Sequence, residues 1–307
     1  VIWLQALIYF CFAIFVIVLL GKVVKYATMP LNLRWELYPV PHEKKAEHGG
    51  SYYEEPEWWK KPREITLLGE IKEMLKEMLF IERVFKHKRS LWWLTYPFHL
   101  GIYLILVWFA LIFIGAILEL IGIPISASGS MISPVIYYLT LVVGVVAMIL
   151  MFVFGIGLIV RRFSDPDMRK YSSFLDYFNL IFIIAVVGTG FAAWQSDPDF
   201  SLAREFMKDL IVLSPLPSAS GATILHVTLL SLLFLYIACT KMTHFIGKYF
   251  TYHKILWDDE PNLRGSEIEK KVLNQLNYRV AWRGNHIKPE VTWAEEATKY
   301  VPKSQEE

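Results

Sequence analysis

Apolar residues run almost unbroken through five stretches of this chain, at residues 2–20, 96–121, 134–160, 174–194 and 222–246. A helix of about 20 apolar residues crosses the hydrocarbon layer of a bilayer, so each stretch predicts a membrane span. Elsewhere the pattern changes. In TLLGEIKEMLKEMLFIERVF, residues 66–85, the apolar positions Ile71, Met74, Leu75, Met78, Leu79 and Phe85 recur at helical spacing. This predicts an amphipathic helix lying on the membrane surface or on a partner. FSLAREFMKDLIVL, residues 200–213, is a second amphipathic segment, set between the turn formers Asp197 and Pro198 and the later Pro215 and Pro217. It predicts a plain connector or a lid over one membrane face. Ser266 followed by Glu269 is a capping-box signal ahead of a helix of about ten residues. The expected fold is an all-α membrane protein, a five-transmembrane-helix bundle. Its divisions are residues 1–21 (first span), 22–95 (polar loop with the amphipathic helix), 96–250 (four-span region) and 251–307 (tail).

Composition agrees: 55% of the 307 residues are hydrophobic and the mean hydropathy is +0.38. The net charge of +2 gives no reason to expect a nucleic-acid partner, and it conceals an asymmetry. Of the 31 Lys and Arg, 14 lie in residues 21–95, four in 161–173 and 11 in the tail from Lys241. The connection at 119–133 holds none, and that at 195–221 holds two, Arg204 and Lys208. In a five-span arrangement 29 of 31 therefore fall on one side. The positive-inside rule makes that side cytoplasmic, with the N-terminus outside and the C-terminus in the cytoplasm of a multi-pass inner-membrane protein. The first stretch reads as a span rather than a signal peptide, because no basic region precedes it and no small-residue cleavage site follows. The only cysteines, Cys11 and Cys239, each fall in a span without a CxxC, so neither a zinc site nor an iron–sulfur cluster is expected in this chain. The long first loop begins with a half rich in Pro, Gly and aromatics, including Trp58 and Trp59, expected to be extended and wrapped on something. Trp92 and Trp93 suit the headgroup level. Loop and tail together predict a cytoplasmic docking surface.

Two histidines bear on chemistry. His226 and His244 lie 18 residues apart on the last apolar stretch. At about 100° per residue this is five turns, which predicts one helix with both rings on one face, about 27 Å apart. Ionisable side chains are costly in hydrocarbon and mark function there, and imidazole is a usual axial ligand of haem iron. His99, at the start of the second span, is at the depth of His244 in an antiparallel pair of helices, so His99 and His244 are expected to ligate one haem. His226, near the other surface, has no evident partner; that site is five-coordinate, has an unusual sixth ligand, for which Met148 is a soft alternative, or is absent. Arg161 and Arg162 are candidates to hold haem propionates, or a plain basic flank. Glu119, Tyr137 and Gln195 are candidate proton acceptors or donors for a quinol at the outer surface.

Several of these residues sit in recognisable motifs. FHLGIYL in the second span resembles the FHxGI signature of the respiratory nitrate reductase gamma subunit family. RRFSDPDMR is similar to that family's basic turn, which precedes a helix carrying an Asp, here Asp176. LHVTLL and KMTHF, with 18 residues between their histidines, match its fifth helix. The family pattern has a further His ten residues after FH, where this chain has Phe109. The long loop, with NLRWELYPVPHE and GGSYYEEPEWWKKPRE, is similar instead to cytochrome b subunits of Dsr-type, sulfite-reduction-associated membrane complexes. The resemblance implies a haem b subunit, with one or two haems. It would pass electrons between menaquinol and a cytoplasmic iron–sulfur subunit similar to heterodisulfide reductase, beside further membrane and extracytoplasmic redox subunits. A quinone-reducing subunit running in reverse, or a haem-free membrane anchor, are the alternatives.

Overall fold

A computed structural model of the chain describes residues 2–29, 56–57, 60, 67–129, 132–250, 263–284 and 287–299. The aromatic-rich half of the first loop, with Trp58 and Trp59, lies outside the described residues. Among the described residues the secondary structure is helical, with two isolated bridges in the tail. Five helices are long and apolar enough to cross a membrane: α1 (Ile2–Thr28), α4 (Arg89–Leu120), α5 (Ile132–Ser164), α7 (Phe174–Trp194) and α9 (Gly221–Cys239). Their number and order are those the hydropathy pattern predicts. The shorter helices are α2 (Leu67–Phe80), α3 (Glu82–His87), α6 (Pro166–Tyr171), α8 (Ser201–Val212), α10 (His244–Lys248), α11 (Glu267–Leu276) and α12 (Trp293–Thr298).

The chain forms two units. The first comprises Val1–Val18 and Leu75–Met242. In it α4 packs on α5, α5 on α7 and α7 on α9, while α8 lies on α4. α4 and α5 approach closely at Gly101, where a Cβ would stand 2.7 Å from Met151 Cγ and 3.0 Å from its backbone nitrogen. A hydrogen in place of a side chain lets two backbones meet, as is common where lipid supplies no hydrophobic drive between helices. α4 and α9 have no extended backbone packing; aromatic rings fill between them, with Phe109 and Phe234 6.3 Å apart at their centroids. The core joins Phe98 and Ile112 of α4, Met148 and Met151 of α5, Leu180, Ile183, Val186 and Val187 of α7, and Leu233 of α9.

Connections follow local chemistry. Asp165 caps α6, its carboxylate accepting from the amides of Asp167 and Met168, with Pro166 at the first helical position. Ser173 and Asp176 form a capping box at the start of α7, and Lys241 pairs with Asp176. α1 is tied to the far end of α8: Gln5 Nε2 donates to the Ser214 carbonyl at 2.9 Å and the Tyr9 hydroxyl to that of Leu210 at 2.7 Å. These satisfy carbonyls at and just past the helix end that lack helical partners.

Two expectations are corrected. The amphipathic segment at 66–85 is not one helix. It breaks at Ile81, whose φ of 53° is left-handed; the Trp92 indole donates to the Phe80 carbonyl and a Glu77 oxygen accepts from the Arg83 amide, replacing helical bonds lost at the break. The last span does not reach 246 as one helix either. α9 ends at Cys239, Thr240 is extended, and a 3-10 turn at Lys241–Thr243 precedes α10. Threonine is β-branched and its hydroxyl competes for backbone partners; here Thr240 Oγ1 accepts from the Met242 amide at 3.4 Å. His226 and His244 thus belong to different helices.

The second unit comprises Leu19–Met74 and Thr243–Glu307. Lys22 Nζ donates to Thr243 Oγ1 at 2.8 Å. The tail is folded at its described residues: Ser266 Oγ caps α11 through the Glu269 amide, as the capping-box signal predicts. Val280 is buried and exchanges backbone bonds with Val291 and Glu290, and Thr292 and Glu295 make a second capping box at α12. His286 lies outside the described residues.

Candidate functional site

Within the first unit, His226 lies in the second turn of α9 and its ring is aimed at α7. Its Nδ1 is 3.0 Å from the Val186 carbonyl oxygen and 3.4 Å from Thr189 Oγ1. A carbonyl only accepts, so Nδ1 carries the proton and the lone pair of the neutral ring is on Nε2. Fixing one ring nitrogen on a backbone carbonyl is the usual support for an imidazole that ligates through the other. Gly190 makes room: a Cβ there would stand 3.1 Å from His226 Cε1 and 3.4 Å from its Nδ1. The same point is 3.6 Å from the sulfur of Met148.

His99 is half-buried on α4 and shows the same support, with Nδ1 donating to the Thr95 carbonyl at 2.8 Å. Phe98 and Tyr103 flank it, and the Tyr103 hydroxyl donates to the Met78 carbonyl at 2.6 Å. At the same end of the unit, Arg161 and Arg162 close α5. Arg161 donates to Ser90 Oγ and pairs with Asp165; Arg162 donates to Ser172 Oγ. Yet the Nε of both is buried without a hydrogen-bond partner among the described residues. His244 belongs to the second unit, at the first residue of α10.

The opposite end of the first unit is organised by Glu119. Its Oε1 accepts from Arg204 Nε at 3.2 Å and its Oε2 pairs with Lys208 Nζ at 2.8 Å. Arg204 is 1% exposed and also donates to the Asp199 carbonyl at 3.0 Å. A Cβ on Gly115 would meet its Cδ at 3.0 Å. Asp197 caps α8, accepting from the Leu202 and Ala203 amides. Tyr137 is half-buried and stacks edge-on against Tyr138. Gln195 is the exposed C-cap of α7. Among the described residues no hydrogen bond joins Tyr137 or Gln195 to Glu119. Sequence reading missed three groups: Arg204 as a buried partner of Glu119, Gly190 as the notch behind His226, and the Trp108 indole, whose buried N–H lacks a partner among the described residues. Only Arg204 left a signal, as one of two basic residues in the connection at 195–221.

These features define a multi-pass helical membrane protein whose spans hold imidazoles by backbone carbonyls. Residues 84–257 match the family described as the nitrate reductase gamma subunit, more than half of the 307-residue chain, and the chain belongs to that family. It is a family of haem-containing membrane cytochromes b, electron-transfer subunits of oxidoreductase complexes. No curated protein matches the chain. The residues present fit haem b: an imidazole with a fixed ring proton on each of α4 and α9, a glycine notch behind one of them, and two buried guanidinium nitrogens in want of an acceptor.

Proposed function

We propose that this chain is the haem b subunit that passes electrons between menaquinol in an inner membrane and a cytoplasmic iron–sulfur subunit similar to heterodisulfide reductase, within a complex containing further membrane and extracytoplasmic redox subunits. The observation that carries the proposal is His226, an imidazole inside a membrane span with its Nδ1 proton fixed on the Val186 carbonyl. On this reading the N-terminus is outside and the basic loop and tail face the cytoplasm. His226 holds a haem near the outer surface, and the family resemblance assigns His99 and His244 to one near the inner surface. Bound haem takes up and releases single electrons. Arg161 and Arg162 present donors to its propionates. Near the outer surface Glu119, Tyr137 and Gln195 are the groups for a quinol, with the Trp108 N–H as a donor to its ring oxygen. Glu119 already accepts from Arg204 and Lys208, so a quinol proton would compete with these two cations. The folded tail and first loop receive the cytoplasmic partner.

The test is a reduced-minus-oxidised spectrum of the purified chain, followed by reduction with a menaquinol analogue. b-type bands that appear with the quinol and diminish in His226→Ala support the reading. A colourless, folded preparation supplied with haem ends it.

A further inference from the structure

We propose that the basic end of α1 positions His244, acting through Lys22 and Tyr26. This rests on the reading of His244 as a haem ligand. Three observations carry it. α9 ends at Cys239 and Thr240 is extended, so the helical register of α9 is lost before His244 and does not aim its ring. Lys22 Nζ donates to Thr243 Oγ1 at 2.8 Å, and Thr243, the residue before His244, is buried. Tyr26, one turn further along α1, meets Phe250 with 6.0 Å between ring centroids. α10 is thus gripped from α1 on both sides, just before its first residue, His244, and just after its last, Lys248.

The chemistry suits a hold. Threonine just ahead of a helix ordinarily turns its hydroxyl on the amides of the first turn. Thr243 makes no such cap; its hydroxyl accepts from Lys22 instead. A hydrogen bond from an ammonium is stronger than one between neutral groups, and the ring contact adds a second point, so the direction of α10 is fixed as well as its place. A lysine at the end of a span is ordinarily a solvated basic flank, and Lys25, exposed in the last turn of α1, has that role. Lys22 and Tyr26 differ: both are half-buried, while Gly21, Val23, Val24 and Lys25 beside them are exposed. Groups that orient a ligand without touching the metal tune the metal they serve. α1 lies outside residues 84–257, which match the family, so the match assigns it no part in holding haem.

The full chain, purified with haem, is compared with Lys22→Met, Lys22→Arg, Thr243→Val, Lys25→Met and His244→Ala. The readouts are haem content, electron paramagnetic resonance, midpoint potential and amide hydrogen exchange across α10. His244→Ala is expected to lose one haem. Lys22→Met is expected to shift the potential and the low-spin signal of that same haem, and to speed exchange in α10 by about tenfold, the loss of one hydrogen bond to a charged group. Thr243→Val removes the acceptor instead of the donor, and is expected to give the same shifts should the lysine variant fold poorly. The two changes together are expected to do no more than either alone, as for one shared bond. Lys22→Arg, which keeps a charged donor, and Lys25→Met, on the exposed side, are expected to stay close to wild type. A Lys22→Met protein with wild-type signal, potential and exchange, or effects of Lys22→Met and Thr243→Val that simply add, overturns the hold while leaving His244 a ligand. A His244→Ala protein with full haem content overturns the proposal differently, by removing the ligand reading on which it rests.

Discussion

Arg204 is the residue on which the non-basic end of the bundle turns. Its guanidinium is 1% exposed and is held by Glu119 and the Asp199 carbonyl, which accept its hydrogen bonds. Removing one partner of such a pair costs about 3–5 kcal/mol, because the other charge is left buried. Arg204→Ala is therefore expected to lower the thermal midpoint in detergent by many degrees. Glu119→Gln is expected to do so too, and the double variant to lose less than the two single losses combined, as coupled neighbours do. Equal and additive losses would show that the pair is not coupled. A different mechanism operates at Gly101. There a Cβ would meet not only the flexible Met151 side chain but its backbone nitrogen at 3.0 Å and the Ala147 oxygen at 3.1 Å. Backbone cannot step aside, so Gly101→Ala is expected to force α4 from α5 at a cost of about 1–3 kcal/mol, read by the same melts. At this scale the sequence showed the chemistry-bearing residue types, His99, His226, Glu119 and Arg161 among them. Their partners were hidden, because Glu119 and Arg204 are 85 residues apart and Gly190 acts through an atom it lacks.

Elements were legible where the local code was complete. The signals at 200–213 and at Ser266 match α8, Ser201–Val212, and α11, Glu267–Leu276, because turn formers and caps delimit both. They were illegible where a tertiary bond replaces a helical one, as at Ile81, or where side chains compete with the backbone, as at Thr240. α8 also carries a pH dependence. Asp199, in the turn ahead of it, has a carboxyl held below its ordinary value: burial acts to raise it, but the Ser201 hydroxyl and amide, the Arg204 charge and Asp197 together outweigh that. A group whose folded value is depressed contributes stability that is complete above its unfolded value and is lost as pH falls through the folded one. The turn and α8 are thus expected to loosen in the acid range, below ordinary carboxylate titration. Asp199→Asn is expected to flatten the fall of the thermal midpoint with acidity. A slope unchanged by that substitution would remove Asp199 from the account.

At the scale of the whole molecule, charge decides how the bundle sits in a membrane. Exposed Lys and Arg collect where translocation is not required of them, and in this chain 29 of 31 fall on one side. The two exceptions are informative because they are paired locally: Arg204 and Lys208 share one carboxylate, that of Glu119. They serve the packing of α8 on α4, so these two do not argue against the asymmetry. The orientation proposed above puts α8 on the outer surface and the tail in the cytoplasm. The positions that report this are Glu205, exposed on α8, and Lys288, exposed in the tail. In intact cells of an inner-membrane expression host, Glu205→Cys is expected to react with a membrane-impermeant maleimide and Lys288→Cys to react only after the membrane is opened, in a background where Cys11 and Cys239 are serine. Both sites lie outside the spans, so neither change disturbs helix packing. The reverse pattern would invert the protein, place His226 on the cytoplasmic side and exclude an outer quinol site near Glu119. Labelling of both in intact cells would show an even number of crossings between them, contrary to the single crossing that α9 supplies.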